Sequence, residues 1–113
     1  MKAPNAADEK CRWEGIFYFD PRDRIYADHF PGNPIVPGSL IIHAFMSVMH
    51  TRGIYRHSLA VEKFKFIKFI PPGEYSYKIE SMHSRTEETS SENRLICTLY
   101  DGDVPVANGR VWT

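Results

Sequence analysis

The spacing of apolar and polar positions divides the chain into one long helix and a series of strands. From Ser39 to Thr51 the run SLIIHAFMSVMHT contains no Lys, Arg, Asp or Glu. At about 100° per residue, Ser39, His43, Met46, Ser47 and His50 fall on one narrow face. Leu40, Ile41, Ile42, Ala44, Phe45, Val48 and Met49 cover the rest, which predicts a helix buried over most of its circumference. A polar stripe without long charged side chains is expected to look at a cavity or a partner chain rather than at water. The alternative is an ordinary amphipathic helix whose stripe is a modest solvent face. Gly53 is the predicted C-terminal stop.

The remaining patterns are strand-like. Trp13 to Phe19 is rich in aromatics and ends at the turn Asp20-Pro21-Arg22-Asp23, with Ile25-Tyr26-Ala27 read as a short extended continuation. Leu59 to Ile70 sets Val61, Lys63 and Lys65 against Glu62, Phe64 and Phe66, then loses phase at Ile67, which predicts a bulge or a change of burial there. After the turn Pro71-Pro72-Gly73, Glu74 to Met82 places Tyr75, Tyr77 and Ile79 on one face. Ser84 to Ser91 is polar throughout and reads as an exposed connection. Asn93 to Tyr100 and Val104 to Trp112 read as a hairpin about Asp101-Gly102, and Asn108-Gly109 suggests a bulge in its second arm. One helix preceded by one strand and followed by three or four antiparallel strands is an α+β arrangement, a sheet curled round a central helix.

The loop feeding the helix is stiff. His29-Phe30-Pro31-Gly32-Asn33-Pro34-Ile35-Val36-Pro37-Gly38 carries three prolines, each fixing its own φ and driving the preceding residue out of the helical region. Helix is expected to begin only after Val36, with Pro37 at or near its first position. The N–H groups of Gly38 and Ser39 then stand among the unpaired donors at the positive end of the helix dipole, suited to an oxyanion.

Length and charge narrow the classes. A chain of 113 residues is read as a single domain, 1–113, with 1–12 as a loose N-terminal segment. Lys plus Arg and Asp plus Glu number 14 each, so no global field draws the chain to nucleic acid or to an anionic membrane. Cys11 and Cys97, with no secretion signal, read as reduced thiols of a cytoplasmic protein. The residues from Phe30 to Thr51 carry no fixed charge. Their helical part, however, spans only about 20 Å against a hydrocarbon core of about 30 Å, so a membrane span is rejected.

The run His29-Phe30-Pro31-Gly32-x-Pro34-x-x-Pro37-Gly38-x-Leu40-Ile41 resembles the signature of the 3-hydroxyacyl-acyl carrier protein dehydratases of the FabZ and FabA type. Val61-Glu62-Lys63-x-Lys65-Phe66-x-Lys68 followed by Pro72-Gly73-Glu74 is similar to that family's second block, so the likeness covers roughly Trp13 to Trp112. Two positions depart from the pattern: His43 stands where the family has Glu or Asp, and Ser47 where it usually has Gln. The resemblance implies a hot-dog fold, a homodimer or higher oligomer of dimers, no cofactor, and an acyl carrier protein or coenzyme A thioester as substrate in fatty-acid or related acyl-chain metabolism. It further implies that His29 is the base removing the C2 proton of a 3-hydroxyacyl thioester. By the same resemblance the Gly38 N–H would be the oxyanion donor, and His43 from the other subunit would occupy the place of the acid. Phe30, Pro37, Ser39 and Ser47 are the candidate substrate-lining residues. A base that titrates near neutrality and fixed donors at the enolate oxygen are what such chemistry requires. With an imidazole in place of the acid, a non-catalytic acyl-thioester-binding subunit or a hot-dog thioesterase-like enzyme stays open beside a dehydratase or hydratase.

Other readings of these residues are weaker. His43 and His50 lie seven positions apart, about 10 Å along a helix, where a metal pair wants i,i+3 or i,i+4. Lys63, Lys65 and Lys68 interleave with Phe64, Phe66 and Phe69 as in single-strand nucleic-acid binders. The same alternation suits a strand with one core face and one basic face, and that basic edge is a candidate dock for an acidic carrier protein. His57 and His83 are read as surface residues.

Overall fold

The computed structural model describes residues 12–28, 32–54, 60–82 and 94–112. His29, Phe30 and Pro31 of the motif, Cys11, His57, Leu59, His83, the predicted connection Ser84 to Ser91, and Asn93 lie outside them, as does most of the predicted loose N-terminal segment. Along the chain run β1 (Arg12–Phe19), α1 (Ile25–Asp28), α2 (Gly38–Thr51), β2 (Ala60–Phe66), β3 (Gly73–Met82), β4 (Arg94–Asp101) and β5 (Val104–Trp112). The strands form one antiparallel sheet in the order β1-β3-β4-β5-β2, so β1 and β2 are its edges.

One face of the sheet carries the core. On β3 the predicted set Tyr75, Tyr77 and Ile79 is buried, and its cross-strand neighbours on β4 and β5, Leu99, Cys97, Ala107 and Gly109, are buried with it. Helix α2 presents Ile41, Phe45 and Met49 to that face, a stripe at i, i+4 and i+8. Full burial of side chains of this size is worth about 1.5–3 kcal/mol each. Phe45 sits at the middle of an aromatic set, with ring centroids 5.0 Å from Phe17, 6.0 Å from Tyr77 and 5.8 Å from Phe64. Phe17 stacks on Tyr77 at 4.3 Å.

Two glycines make room for these rings. A Cβ on Gly15 would stand 2.6–2.7 Å from the Tyr77 ring and hydroxyl, and one on Gly109 would overlap the Phe64 ring. Both pairs are direct cross-strand partners, so each aromatic ring lies flat over the bare backbone opposite and leaves depth for the helix.

The helix ends follow from local chemistry. Pro37 is the N-cap, and its carbonyl accepts from the Leu40 N–H at 3.0 Å and the Ile41 N–H at 3.3 Å. At the other end Gly53 takes φ 67°, its N–H donates to the His50 carbonyl at 3.1 Å and the Ile54 N–H donates to the Met49 carbonyl at 2.9 Å. That double bond is the Schellman arrangement for which a glycine is favoured. Arg52 then reaches sideways, its Nη2 donating to the Glu14 carbonyl at 3.2 Å and to the Tyr77 hydroxyl at 3.1 Å, which ties the helix end to β1 and β3.

Three expectations are corrected. Ile25-Tyr26-Ala27 is helical, not extended: the Asp23 carboxylate accepts from the Ile25 N–H at 3.1 Å and the Asp23 carbonyl from the Tyr26 N–H at 3.1 Å, which starts a turn and sends Tyr26 into the core. The bulge of β5 lies at Val106, not at Asn108-Gly109. Leu99 pairs with Ala107 and Tyr100 with Pro105, so Val106 is the extra residue, and both Val106 and Ala107 are buried. Strand β2 stops at Phe66, and its register shift falls earlier, between Val61 and Lys63, leaving Glu62 to accept from the Trp112 indole N–H at 2.7 Å.

Candidate active site at the start of helix α2

The site is assembled where the motif loop meets α2 and the end of β2. The Val36 N–H donates to the Ile70 carbonyl at 2.8 Å, fastening the loop to the segment after β2. The Ile67 N–H donates to the Val106 carbonyl at 2.8 Å and the Lys68 N–H to the same oxygen at 3.3 Å, so the bulge of β5 holds that segment in turn. Proline at the N-cap leaves the first helical amides pointing along the axis, and among the described residues no group accepts from the Gly38 or Ser39 N–H. The Gly38 and Ser39 N–H groups therefore stand without an acceptor among the described residues, at the positive end of a 14-residue helix.

Gly38 has a neighbour the sequence reading did not assign to it. A Cβ at residue 38 would stand 2.7 Å from Cζ and 2.8 Å from Cε2 of Phe66, so the tip of that ring occupies the space a side chain would need. Phe66 stacks behind on Phe64, centroids 6.0 Å apart and planes at 25°. The alternation that paired Phe66 with Phe64 on one strand face was the available signal. Which helix position that face meets was not.

Ser39, His43, Ser47 and His50 are exposed along α2, with Met46 half-buried between them. The predicted stripe is thus real, but it opens on the surface of the single chain rather than on a cavity within it. The reason is geometric: Ile41, Phe45 and Met49 are drawn to the sheet, and Ser39, His43, Ser47 and His50 turn away from it. Pro37 is half-buried beside the free amides. Lys63 and Lys65 project from the opposite face of β2, directly across from Arg110 and Asn108 of β5, and Lys68 follows the strand end; all three lysines are exposed. Phe64 and Phe66 alternate with Lys63 and Lys65, so those two lysines are not gathered with Gly38.

The other candidate chemistry is quiet. Cys97 is buried in the sheet, and burial pushes its thiol up to about 12, so it stays protonated and is a poor nucleophile. Among the described residues no cluster of His, Cys, Asp and Glu has the arrangement of a metal site, and no described helix is long and apolar enough to cross a membrane. A cleft of about 490 Å³ lies against β1, β3 and the β4–β5 turn, between Glu14, Ile16, Lys78 and Asp103, and contains none of the predicted site residues.

A long helix held in a curved, wholly antiparallel five-stranded sheet, with its N-terminal amides free, is the hot-dog fold. Solved structures of that fold superpose on the chain. The fluoroacetyl-CoA thioesterase FlK does so with a TM-score of 0.63 at 12% identity, covering 96% of this chain and 87% of that one. The (R)-hydratase from A. caviae involved in PHA biosynthesis does so with a TM-score of 0.62 at 15% identity, covering 93% of each chain. The dehydratase heterocomplex ApeI:P from Xenorhabdus doucetiae gives a TM-score of 0.56 at 19% identity, over 96% of this chain and 89% of that one. A family model described as ApeI-like, ApeI dehydratase, matches residues 5–103, and the chain belongs to that family. No curated protein matches it. The resemblance carried by the motif residues therefore holds at the level of a hot-dog dehydratase family.

Proposed function

We propose that the protein is an acyl-thioester hydro-lyase, dehydrating a 3-hydroxyacyl thioester or hydrating the corresponding 2-enoyl thioester. The observation that carries this reading is the pair of free amides at Gly38 and Ser39, set at the start of a helix whose open stripe has no Lys, Arg, Asp or Glu, in a chain of a dehydratase family. In the reaction His29 takes the proton from C2 while negative charge moves onto the thioester oxygen, which accepts from the Gly38 N–H. The electron pair then closes the C2–C3 double bond, and the C3 hydroxyl leaves as water with a proton returned by His29 or supplied through His43. Pro37, Phe30, Ser39 and Ser47 would line the thioester and the first carbons of the acyl chain.

The open stripe on α2 supports a homodimer in which a second copy covers Ser39, His43 and Ser47 and brings its own His43 to His29 of the first. Sedimentation at micromolar concentration is expected to give a dimer, and a monomer would remove His43 from the site. Exposed Lys63, Lys65 and Lys68 suit an acidic carrier protein, so carrier-bound substrate is expected to outcompete the coenzyme A form at low salt and to lose that advantage as salt rises. The decisive assay is hydration of a 2-enoyl thioester followed by the loss of its ultraviolet absorbance, with His29→Ala as the control.

The absence of any carboxylate from α2 favours a second reading, a non-catalytic acyl-thioester-binding subunit. Binding of the thioester without turnover would establish it. Release of free thiol would instead mark a thioesterase.

A further inference from the structure

We propose that Phe66 is a positioning residue for the oxyanion donor, its ring keeping water from one side of the Gly38 N–H so that the amide meets the thioester oxygen in a dry, fixed setting. The inference rests on the reading of Gly38 as that donor. Three observations carry it.

The contact is specific to glycine. The ring tip fills the position a Cβ on residue 38 would take, 2.7 Å from Cζ. Any other residue there would push the ring away, so the bare Cα and the ring fit as a pair.

The ring is braced, although it is not part of the core. Phe66 is 40% exposed on an edge strand, so burial alone does not explain a phenyl ring there. Behind it Phe64 stacks on its face and is itself seated over Gly109 and against Phe45. Just beyond it the Ile67 and Lys68 amides are held by the Val106 carbonyl, which fixes where β2 ends and hence where the ring points.

The loop and the ring share one anchor. The bond from the Val36 N–H to the Ile70 carbonyl ties the motif loop to the segment that begins directly after Phe66. Loop, donor and ring therefore hold one geometry. A hydrogen bond to developing charge is worth more where water is excluded, because the local dielectric is lower and the donor needs no reorientation.

The test has two arms. Amide hydrogen exchange on the Phe66→Ala protein is expected to speed the Gly38 N–H by about fivefold or more, while Met49 in the helix interior keeps its rate. In turnover of 2-enoyl thioesters, Phe66→Ala is expected to lower kcat by about tenfold. KM should stay within about twofold, and the loss should be the same for four-carbon and eight-carbon acyl groups, because the ring acts at the thioester end. Phe66→Leu should recover most of the rate, and Phe69→Ala, on the same exposed edge, should not reproduce the loss. Unchanged exchange at Gly38 overturns the proposal whether or not the protein is an enzyme. A loss that varies with acyl length overturns it too, and places the ring along the chain instead. No turnover in the natural protein, with exchange at Gly38 still dependent on Phe66, would defeat the hydro-lyase reading and leave the shielding in place.

Discussion

The ring of Phe64 lies over the backbone of Gly109, its direct cross-strand partner, in the space a Cβ at residue 109 would fill. That contact sets how closely β2 approaches the helix, since Phe64 also meets Phe45 at 5.8 Å. Gly109→Ala is expected to destabilise the fold by about 1–3 kcal/mol, the usual cost of overfilling a packed site. In thermal melts the double variant with Phe64→Ala should lose less than the sum of the two singles. Additive losses would mean that the ring is not seated there.

Gly38 allows the hydrogen-bond donor to be separated from the space beside it. Gly38→Ala keeps the N–H and displaces Phe66, whereas Gly38→Pro displaces Phe66 and also removes the N–H, at a first helical position where proline is tolerated. Turnover of the proline variant should fall below that of the alanine variant by a further 10²–10³-fold or thereabouts, the value of one oxyanion donor. Circular dichroism should show the helix kept in both. Equal rates would take the Gly38 N–H out of the reaction.

His43→Glu tests the position where the dehydratase signature has an acid. General acid–base assistance is typically worth about 10²–10⁴-fold, so hydration of a 2-enoyl thioester should rise at least about tenfold over the natural chain. His29→Ala in the same background should erase the gain. A slower His43→Glu protein, from a natural chain that already turns over well, would make His43 itself the working group.

Alkaline pH should unfold the protein through its buried thiol. Unfolded, Cys97 ionises near its ordinary 9.0; in the sheet, burial raises it to about 12. Between those values only the unfolded chain has lost the proton, so stability is full below pH 9 and falls as pH rises toward 12. The slope approaches about 1.4 kcal/mol per pH unit. Tyr26 and Tyr75, both raised above 10.0 chiefly by burial, steepen the fall above that pH. Denaturant titrations from pH 8 upward should show the decline, roughly from one pH unit to the next. Cys97→Ala should flatten its first part, and an unchanged slope would place the loss elsewhere. The Tyr26 hydroxyl is buried with no hydrogen-bond partner among the described residues, so Tyr26→Phe should cost little and flatten the later part.

Local chemistry along the chain was enough for α2 and for the existence of the strands. Prolines and Gly53 delimited α2, strict alternation marked β3, and Asp101-Gly102 announced the hairpin that the structure turns at Gly102, φ 65°. The motif residues likewise pointed to a dehydratase family. What depended on residues distant in sequence was not legible. The β5 bulge went to Val106 rather than Asn108-Gly109 because register is settled across β4, and Gly109 was needed bare for Phe64. The Asp23 turn that makes Ile25–Asp28 helical is by contrast local, and only the burial of Tyr26 in the core rests on distant residues. The stripe Ser39, His43, Ser47 and His50 could be placed on one helix face from spacing alone, since 3.6 residues per turn is a local property. That this face opens outward, and that Phe66 of a distant strand stands against Gly38, followed only from how the sheet closes round the helix, because packing joins residues that the chain keeps far apart.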